Sequence, residues 1–317
     1  MDEKLMRSLI DPELLDNYDK SAGFDLRHLD TFKPACDKQE LANLKDDPDV
    51  HIYEKMIPGP EGAPDIKLRI YEPTDRTAEP LPCGMFFHGG GFLFGSVYRQ
   101  NDMCLRMCKN VNMVVVSVEY RLSPMYKAPA PIEDAYAALL WVDKNHKEIG
   151  IDNTKIAITG LSAGGCVTAA LALMTRDRKG PKPVLQIPLY AMLDHKADTC
   201  SQHAITSEKV WCYNYSKIAW DTYIEKGTEL NYYISPILAE DLSNLPPVFS
   251  FIGTVDPLLD ENIEYWNKLI RAGIPVEYHI FPGCYHSFEI AVPDSHYGKM
   301  AYNLMYSALR RAFGTEK

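Results

Sequence analysis

One stretch decides the fold of this chain: Ile156-Ala157-Ile158-Thr159-Gly160-Leu161-Ser162-Ala163-Gly164-Gly165. An apolar strand pattern ends at a serine flanked by glycines, and the apolar run from Cys166 to Met174 then predicts a helix. The glycines allow a sharp turn, so the Ser162 hydroxyl can stand at the carboxyl end of the strand, with the positive end of the helix behind it. A glycine-rich turn with a surface serine has the same spacing by chance, but the flanking strand and helix favour a nucleophile.

A second glycine-rich loop follows the predicted strand Cys83 to Phe87 and reads His88-Gly89-Gly90-Gly91. Three consecutive glycines let backbone N–H groups approach a ligand oxygen without side-chain obstruction, as in an oxyanion hole. The rival interpretation is a phosphate-binding loop, but the chain has no Lys, Ser or Thr at P-loop spacing and no dinucleotide fingerprint here. We interpret His88 as a structural residue that braces the loop.

Two later loops carry the other side chains of a Ser-His-Asp triad. Asp256 and His286 each follow a late apolar strand, and neighbouring strands place their loops over the same end of a sheet. His286 can therefore take the proton of Ser162 while Asp256 fixes its tautomer. Asp256 could instead be a helix N-cap, and Asp260 and Glu261 are competing carboxylates, but those two lie in the predicted helix start.

Strands and helices alternate along most of the chain from residue 66. Strands are predicted at 66–71, 83–87, 113–119, 155–159, 184–189, 248–253 and 276–281, and helices at 98–109, 132–147, 163–175, 260–272 and 299–313. This alternation predicts an α/β fold, with a mainly parallel central sheet and helices on both faces. Residues 1 to about 50 are polar and suggest one or two short helices.

The alternation stops between about residues 190 and 233, where aromatic side chains are concentrated. They are Trp211, Tyr213, Tyr215, Trp220 and Tyr223. Such a group suits an apolar substrate pocket and simple packing equally well.

The composition excludes several other classes of protein. The chain has 317 residues and a net charge of -10, which disfavours nucleic acid and anionic membranes as partners. Its eight cysteines show no framework spacing, so we expect reduced thiols. The N-terminus lacks the apolar core of a signal peptide, and no apolar run reaches the about 20 residues of a membrane span. We expect a cytoplasmic protein.

These motifs together resemble the hormone-sensitive-lipase-like esterases of the α/β-hydrolase superfamily, over about residues 60 to 315. The motifs that carry the resemblance are His88 to Gly91, Tyr120-Arg121-Leu122-Ser123-Pro124, Ile132-Glu133-Asp134-Ala135, Gly160 to Gly164, Leu245-Pro246-Pro247, Asp256-Pro257-Leu258 and His286. The resemblance implies an α/β-hydrolase fold with a helical cap. It also implies domain boundaries, with N-terminal cap helices at 1–50, a catalytic domain at 51–189 and 234–317, and a cap insertion at 190–233.

The resemblance also assigns roles to single residues. Ser162 would be the nucleophile, Asp256 the acid and His286 the base. The oxyanion hole would be formed by the backbone amides of Gly90, Gly91 and Ala163, with Gly89 shaping the loop.

Three positions depart from the family pattern. Leu161, before the predicted nucleophile, stands where an acidic residue is frequent in the family. Met125 stands where a glutamate often follows the Tyr-Arg-Leu-x-Pro run, and Ser287 stands where glycine often follows the histidine. None of them removes a catalytic atom, so they bear on substrate preference rather than on activity.

We therefore expect a carboxylic ester hydrolase that acts on short-chain acyl esters through an acyl-enzyme. The expected partner is a small-molecule ester, no metal or organic cofactor is expected, and the sequence allows a homodimer. A carbohydrate acetyl deacetylase on the same fold is the main alternative. An amidase or peptidase is less favoured, as is a non-catalytic small-molecule receptor, because receptors on this fold tend to lack a triad member.

Overall fold

The structure, a computed structural model, describes residues 3–76 and 80–316. Within these residues eight strands form one sheet. The strands are β1 (Val50–Ile57), β2 (Ile66–Pro73), β3 (Leu81–Phe87), β4 (Val114–Val118), β5 (Ile151–Leu161), β6 (Leu185–Leu189), β7 (Val248–Val255) and β8 (Val276–Tyr285). Their order in the sheet is β1-β2-β4-β3-β5-β6-β7-β8.

The sheet is mainly parallel, as predicted. Strand β2 is the one described strand that runs antiparallel to two neighbours, which are β1 and β4. Strands β3 to β8 are all parallel to one another. Every residue of β3, β4 and β6 is buried, which requires cover on both faces of the sheet. The α/β-hydrolase fold predicted from the sequence is confirmed.

The helices of the described residues form the covering layers. They are α1 (Glu3–Leu9), α2 (Leu15–Lys20), α3 (Leu29–Ala42), α4 (Asn101–Val111), α5 (Ala130–Lys144), α6 (Ala163–Asp177), α7 (Cys200–Ala204), α8 (Tyr213–Tyr223), α9 (Leu259–Arg271), α10 (Phe288–Ala291) and α11 (His296–Phe313). Helix α4 packs on α11, α5 packs on α6, and α9 packs on β7 and β8. No helix in residues 3–76 and 80–316 has the length and apolar character needed to cross a membrane.

The sequence does not predict strand β1 or helices α7, α8 and α10, and residues 3–42 form three helices where one or two were expected. Strand β1 is the one unpredicted strand of the described sheet. It lies at the edge of the sheet with a single neighbour, and half-buried or exposed residues separate its buried ends. An edge strand of this kind has little apolar signal.

The helix predicted from Tyr98 begins at Asn101, because residues 97–100 form a turn.

The strand register brings the carboxyl ends of four strands together. Phe87 of β3 pairs with Gly160 of β5, and Val255 of β7 pairs with Tyr285 of β8. The loops after these strands therefore begin at one edge of the sheet, where parallel α/β proteins bind ligands.

The N-terminal helices and the aromatic segment between β6 and β7 contact each other above this edge. The Tyr18 hydroxyl hydrogen-bonds to the Ser207 hydroxyl at 2.9 Å, and the Phe24 amide donates to the Tyr215 hydroxyl at 3.1 Å. Two segments distant in sequence thus form one surface that faces the carboxyl ends of the strands.

Candidate active site

Ser162 sits on a sharp turn between β5 and α6. Its backbone has φ 55° and ψ −114°, which is unusual for a residue with a side chain. The turn needs glycine on both sides, since a Cβ on Gly160 would lie 2.0 Å from the Gly164 carbonyl oxygen and a Cβ on Gly164 would lie 2.1 Å from the Phe87 carbonyl oxygen. The Ser162 side chain is nearly buried, and its Oγ makes no hydrogen bond to the residues that the structure describes.

His286 and Asp256 form a hydrogen-bonded pair in the loops after β8 and β7. His286 Nδ1 lies 2.8 Å from Asp256 Oδ2, and both side chains are largely buried. The other Asp256 oxygen accepts the Leu258 amide at 2.9 Å, so the carboxylate is fixed in orientation. Because Nδ1 faces Asp256, the Nε2 atom of His286 is the one available to another partner.

The loop after β3 passes beside Ser162. A Cβ on Gly89 would lie 3.6 Å from Ser162 Cβ, which places this loop in contact with the serine. Gly90 has φ 127°, and a Cβ there would meet the Phe94 carbonyl oxygen at 1.9 Å, so only glycine fits. Among the described residues, the amides of Gly90, Gly91 and Ala163 donate no hydrogen bond.

His88 braces this loop from beneath, as the sequence predicts. Its ring stacks on Tyr120 at a centroid distance of 4.2 Å, and Nδ1 lies 2.8 Å from the Gly89 carbonyl oxygen. Burial lowers the pKa of His88 to about 3, so the ring is neutral. The Tyr120 hydroxyl also donates to the His88 carbonyl oxygen at 2.5 Å.

A cavity of about 210 Å³ joins these groups. We call one side the sheet wall, which consists of Gly89, Gly90, Leu161, Ser162, Tyr285, His286 and Ser287. We call the other side the helical wall, which consists of Asn17, Ser21, Phe24, Lys209, Val210 and Trp211. The turn before α4 and helix α10 close the ends of the cavity with Phe94, Arg99, Gln100, Ile290 and Ala291.

Of the aromatic side chains in the segment between β6 and β7, Trp211 lines this cavity. It packs over Gly91, where a Cβ would lie 2.5 Å from the indole ring, and its ring centroid lies 6.0 Å from that of His286. Tyr223 instead stacks on Phe92 at 4.0 Å, and Trp220 packs beside both. The segment therefore serves both purposes that the sequence left open, with one side chain in the cavity and others in packing.

A buried pair lies behind the sheet wall. The Tyr190 ring meets the His286 ring edge-on at a centroid distance of 4.8 Å, and its hydroxyl donates to Glu289 Oε1. The second Glu289 oxygen has no hydrogen-bond partner among the described residues. Burial raises the pKa of Glu289 to about 7.

The three departures from the family pattern lie in different surroundings. Leu161 and Ser287 line the cavity, whereas the Met125 side chain is 80% exposed. Ser287 has φ 60° and ψ 33°, a left-handed conformation that explains why glycine suits this position.

The family model of the alpha/beta hydrolase fold matches the chain over residues 84–290. The chain belongs to this family. Esterase LipI of Mycobacterium tuberculosis is 34% identical over 241 residues, 73% of this chain and 73% of the relative. Carboxylesterase NlhH of the same organism is 35% identical over 260 residues, 78% of this chain and 79% of the relative. Among solved structures, a bacterial heroin esterase matches with a TM-score of 0.92 at 31% identity, covering 96% of this chain and 98% of that one. The resemblance to hormone-sensitive-lipase-like esterases is thereby confirmed.

Several residues of this alpha/beta hydrolase site escape sequence reasoning. Lys209, Asn17 and Gln100 come from three distant segments, and no local pattern marks them as neighbours. Glu289 has a weak signal, since it is an acidic residue in the apolar sequence that follows the predicted base. Within residues 3–76 and 80–316, no group of three His, Cys, Asp or Glu side chains could hold a metal ion.

Proposed function

We propose that this carboxylic ester hydrolase acts on short-chain acyl esters through a covalent acyl-enzyme on Ser162. One observation carries the proposal: the buried Ser162 hydroxyl, unpartnered at a sharp turn, shares a small cavity with the His286 ring that is bound to Asp256. This arrangement suits a nucleophile, a general base and a group that orients the base.

In the proposed mechanism, Ser162 Oγ attacks the ester carbonyl carbon while His286 Nε2 takes its proton. The backbone amides of Gly90, Gly91 and Ala163, which are not used elsewhere in the described fold, donate hydrogen bonds to the developing oxyanion. His286 then returns the proton to the leaving alcohol. Water attacks the acyl-enzyme with His286 again as the base, releasing the acid. Because these steps use only side chains, backbone amides and water, we expect EDTA to leave the rate unchanged.

The cavity size supports a preference for short acyl chains. Its volume of about 210 Å³ is below the roughly 300–1,000 Å³ of pockets that bury drug-sized ligands. We propose further that residues 1–50 and 190–233 act as the cap predicted from the family pattern. Their contacts with each other above the strand ends support this division.

A series of p-nitrophenyl esters from acetate to palmitate tests the proposal. Each buried methylene contributes about 0.8 kcal/mol if it finds room. We expect kcat/KM to rise from acetate toward butyrate and then to fall as the cavity fills. A maximum at laurate or longer would contradict the small-cavity proposal. If the enzyme releases acetate faster from acetylated xylose than from p-nitrophenyl acetate, the deacetylase would be favoured instead.

A further inference from the structure

The charges that line the active-site cavity differ from those of the whole chain. The sequence has 43 acidic and 33 basic residues, so an average surface would present more carboxylates than cations. The cavity has the opposite balance. Arg99 and Lys209 line it, and no Asp or Glu is among its described lining residues.

The two cations are in different electrostatic situations. Arg99 Nη1 lies 3.0 Å from Glu40 Oε1, so its charge is compensated outside the cavity. Lys209 forms no salt bridge with any residue in 3–76 or 80–316. Its Nζ donates to the Asp19 carbonyl oxygen at 3.2 Å and lies 5.2 Å from the centroid of the Tyr18 ring.

The carboxylate groups near Lys209 are already engaged. Both Asp19 oxygens accept hydrogen bonds from Arg7, at 2.9 and 2.6 Å, and the Glu3 carboxylate accepts the Tyr18 hydroxyl at 2.7 Å. An ammonium group has three donors, and Lys209 uses one of them within the protein. The Arg7 hydrogen bond and, to a smaller extent, the Lys209 charge lower the pKa of Asp19, but the remaining N–H groups of Lys209 are available to a ligand.

Two side-chain amides add further donors to this cavity. Asn17 Oδ1 accepts the Tyr285 hydroxyl at 2.8 Å, which leaves the Asn17 NH₂ group for a ligand. Gln100 is 8% exposed, and its Oε1 has no hydrogen-bond partner among the described residues. Gln100 also lines the cavity, and its side-chain NH₂ group can donate to a ligand oxygen. Cations and amide donors without carboxylates make a surface that suits an anion.

We infer that Lys209 selects esters that carry a carboxylate on the acyl or the alcohol side, in preference to neutral esters of the same size. The inference rests on the proposed function, because the ester must reach Ser162 in the same cavity. Lys209 would be a specificity residue, acting by charge attraction and hydrogen bonding to the substrate carboxylate. It takes no part in the chemical step.

Two matched substrate pairs test the inference on the wild-type enzyme, with background hydrolysis subtracted. Mono-p-nitrophenyl adipate and its methyl ester place the charge on the acyl side, and 3-acetoxybenzoate and its methyl ester place it on the alcohol side. We expect the anionic member to have the higher kcat/KM in at least one pair, mainly through a lower KM. Preference for the neutral member in both pairs, or no preference in either, would overturn the inference.

Variants then assign the preference to one side chain. In Lys209→Met, kcat/KM for the anionic ester should fall about tenfold, equivalent to about 1.4 kcal/mol, while the neutral ester changes less than about twofold. Lys209→Arg should keep the preference. The matched control is Lys217→Met on α8, which removes the same charge outside this cavity and should change nothing. An equal loss for both esters in Lys209→Met would indicate a structural role and overturn the inference.

A salt titration of the wild type gives a test that needs no variant. The preference should shrink as ionic strength rises from about 0.02 to 0.5 M, because the Debye length falls. A preference independent of salt would contradict a charge-based selection. If the enzyme hydrolyses esters but shows no preference for the anionic over the neutral member of either pair, this inference alone fails. If no ester is hydrolysed, the proposed function fails and the inference fails with it.

Discussion

The two walls of the active-site cavity are built by different means. The sheet wall comes from the last residues of β5 and β8 and from the loops that directly follow β3, β5 and β8, and the strand register places them together. The helical wall comes from residues 17–24 and 209–211, which are distant in sequence and meet through side-chain contacts such as that of Phe24 with Tyr215. We propose that the sheet wall holds the chemistry, while the segments of the helical wall decide which ester can reach it.

Asp256→Asn tests the sheet wall, and we expect a larger effect there than at Glu289 or Trp211. The asparagine cannot stabilise the imidazolium and favours the wrong His286 tautomer, so kcat should fall about 10⁴-fold. The matched control is Asp260→Asn at the start of α9, a carboxylate that hydrogen-bonds the Ser201 amide at 2.7 Å and does not contact His286. Steady-state kinetics on p-nitrophenyl butyrate measure both variants. An equal loss in the two would remove Asp256 from the triad.

An intermediate effect should arise behind the sheet wall, at Glu289. Its pKa rises from an ordinary value of 4.5 to about 7 in the folded protein. Between these values the folded state binds more protons than the unfolded state, so stability falls as pH rises and levels off above pH 7. Over this pH range Glu289 lowers the free energy of unfolding by roughly 3 kcal/mol, at 1.36 kcal/mol per pKa unit. Because glutamine does not titrate, the Glu289→Gln variant should not show this fall in stability.

The measurement for Glu289 is the free energy of unfolding by urea between pH 4.5 and 8, in wild type and Glu289→Gln. The difference between the two curves should grow with pH in favour of the variant. Glu264→Gln, at an exposed position of α9, is the control and should leave a difference independent of pH. A constant difference for Glu289→Gln would mean that the buried carboxylate keeps an ordinary pKa.

The smallest effect is expected on the helical wall, at Trp211. Replacement by leucine enlarges the cavity without touching a triad atom, so hydrolysis of butyrate should change little. The ratio of kcat/KM for the octanoate ester to that for the butyrate ester should rise about fourfold, if the larger cavity takes one additional methylene at about 0.8 kcal/mol. Tyr213→Leu, at the first residue of α8 and outside the cavity, is the control. An unchanged ratio would mean that Trp211 does not limit chain length.

The two walls also differ in how well the sequence predicts them. Ser162 and the loop after β3 are predictable because strand, turn and helix are neighbours in sequence, and tight glycine turns have a recognisable composition. The partnership of His286 with Asp256 also follows, because adjacent parallel strands must bring their loops together. Lys209, Asn17 and Gln100 were not predictable, since their proximity depends on how irregular segments pack. Strand β1 escaped because an edge strand needs little apolar sequence.

The most direct measurement of the central claim, that Ser162 is the nucleophile, is covalent trapping with diethyl p-nitrophenyl phosphate followed by peptide mass spectrometry. We expect one phosphoryl adduct per chain, on Ser162, with activity lost in proportion to labelling. The Ser162→Ala variant should remain folded and unlabelled, and should lose on the order of a millionfold in kcat. An adduct on another serine, such as Ser287 in the same cavity, or full activity of Ser162→Ala, would contradict this claim.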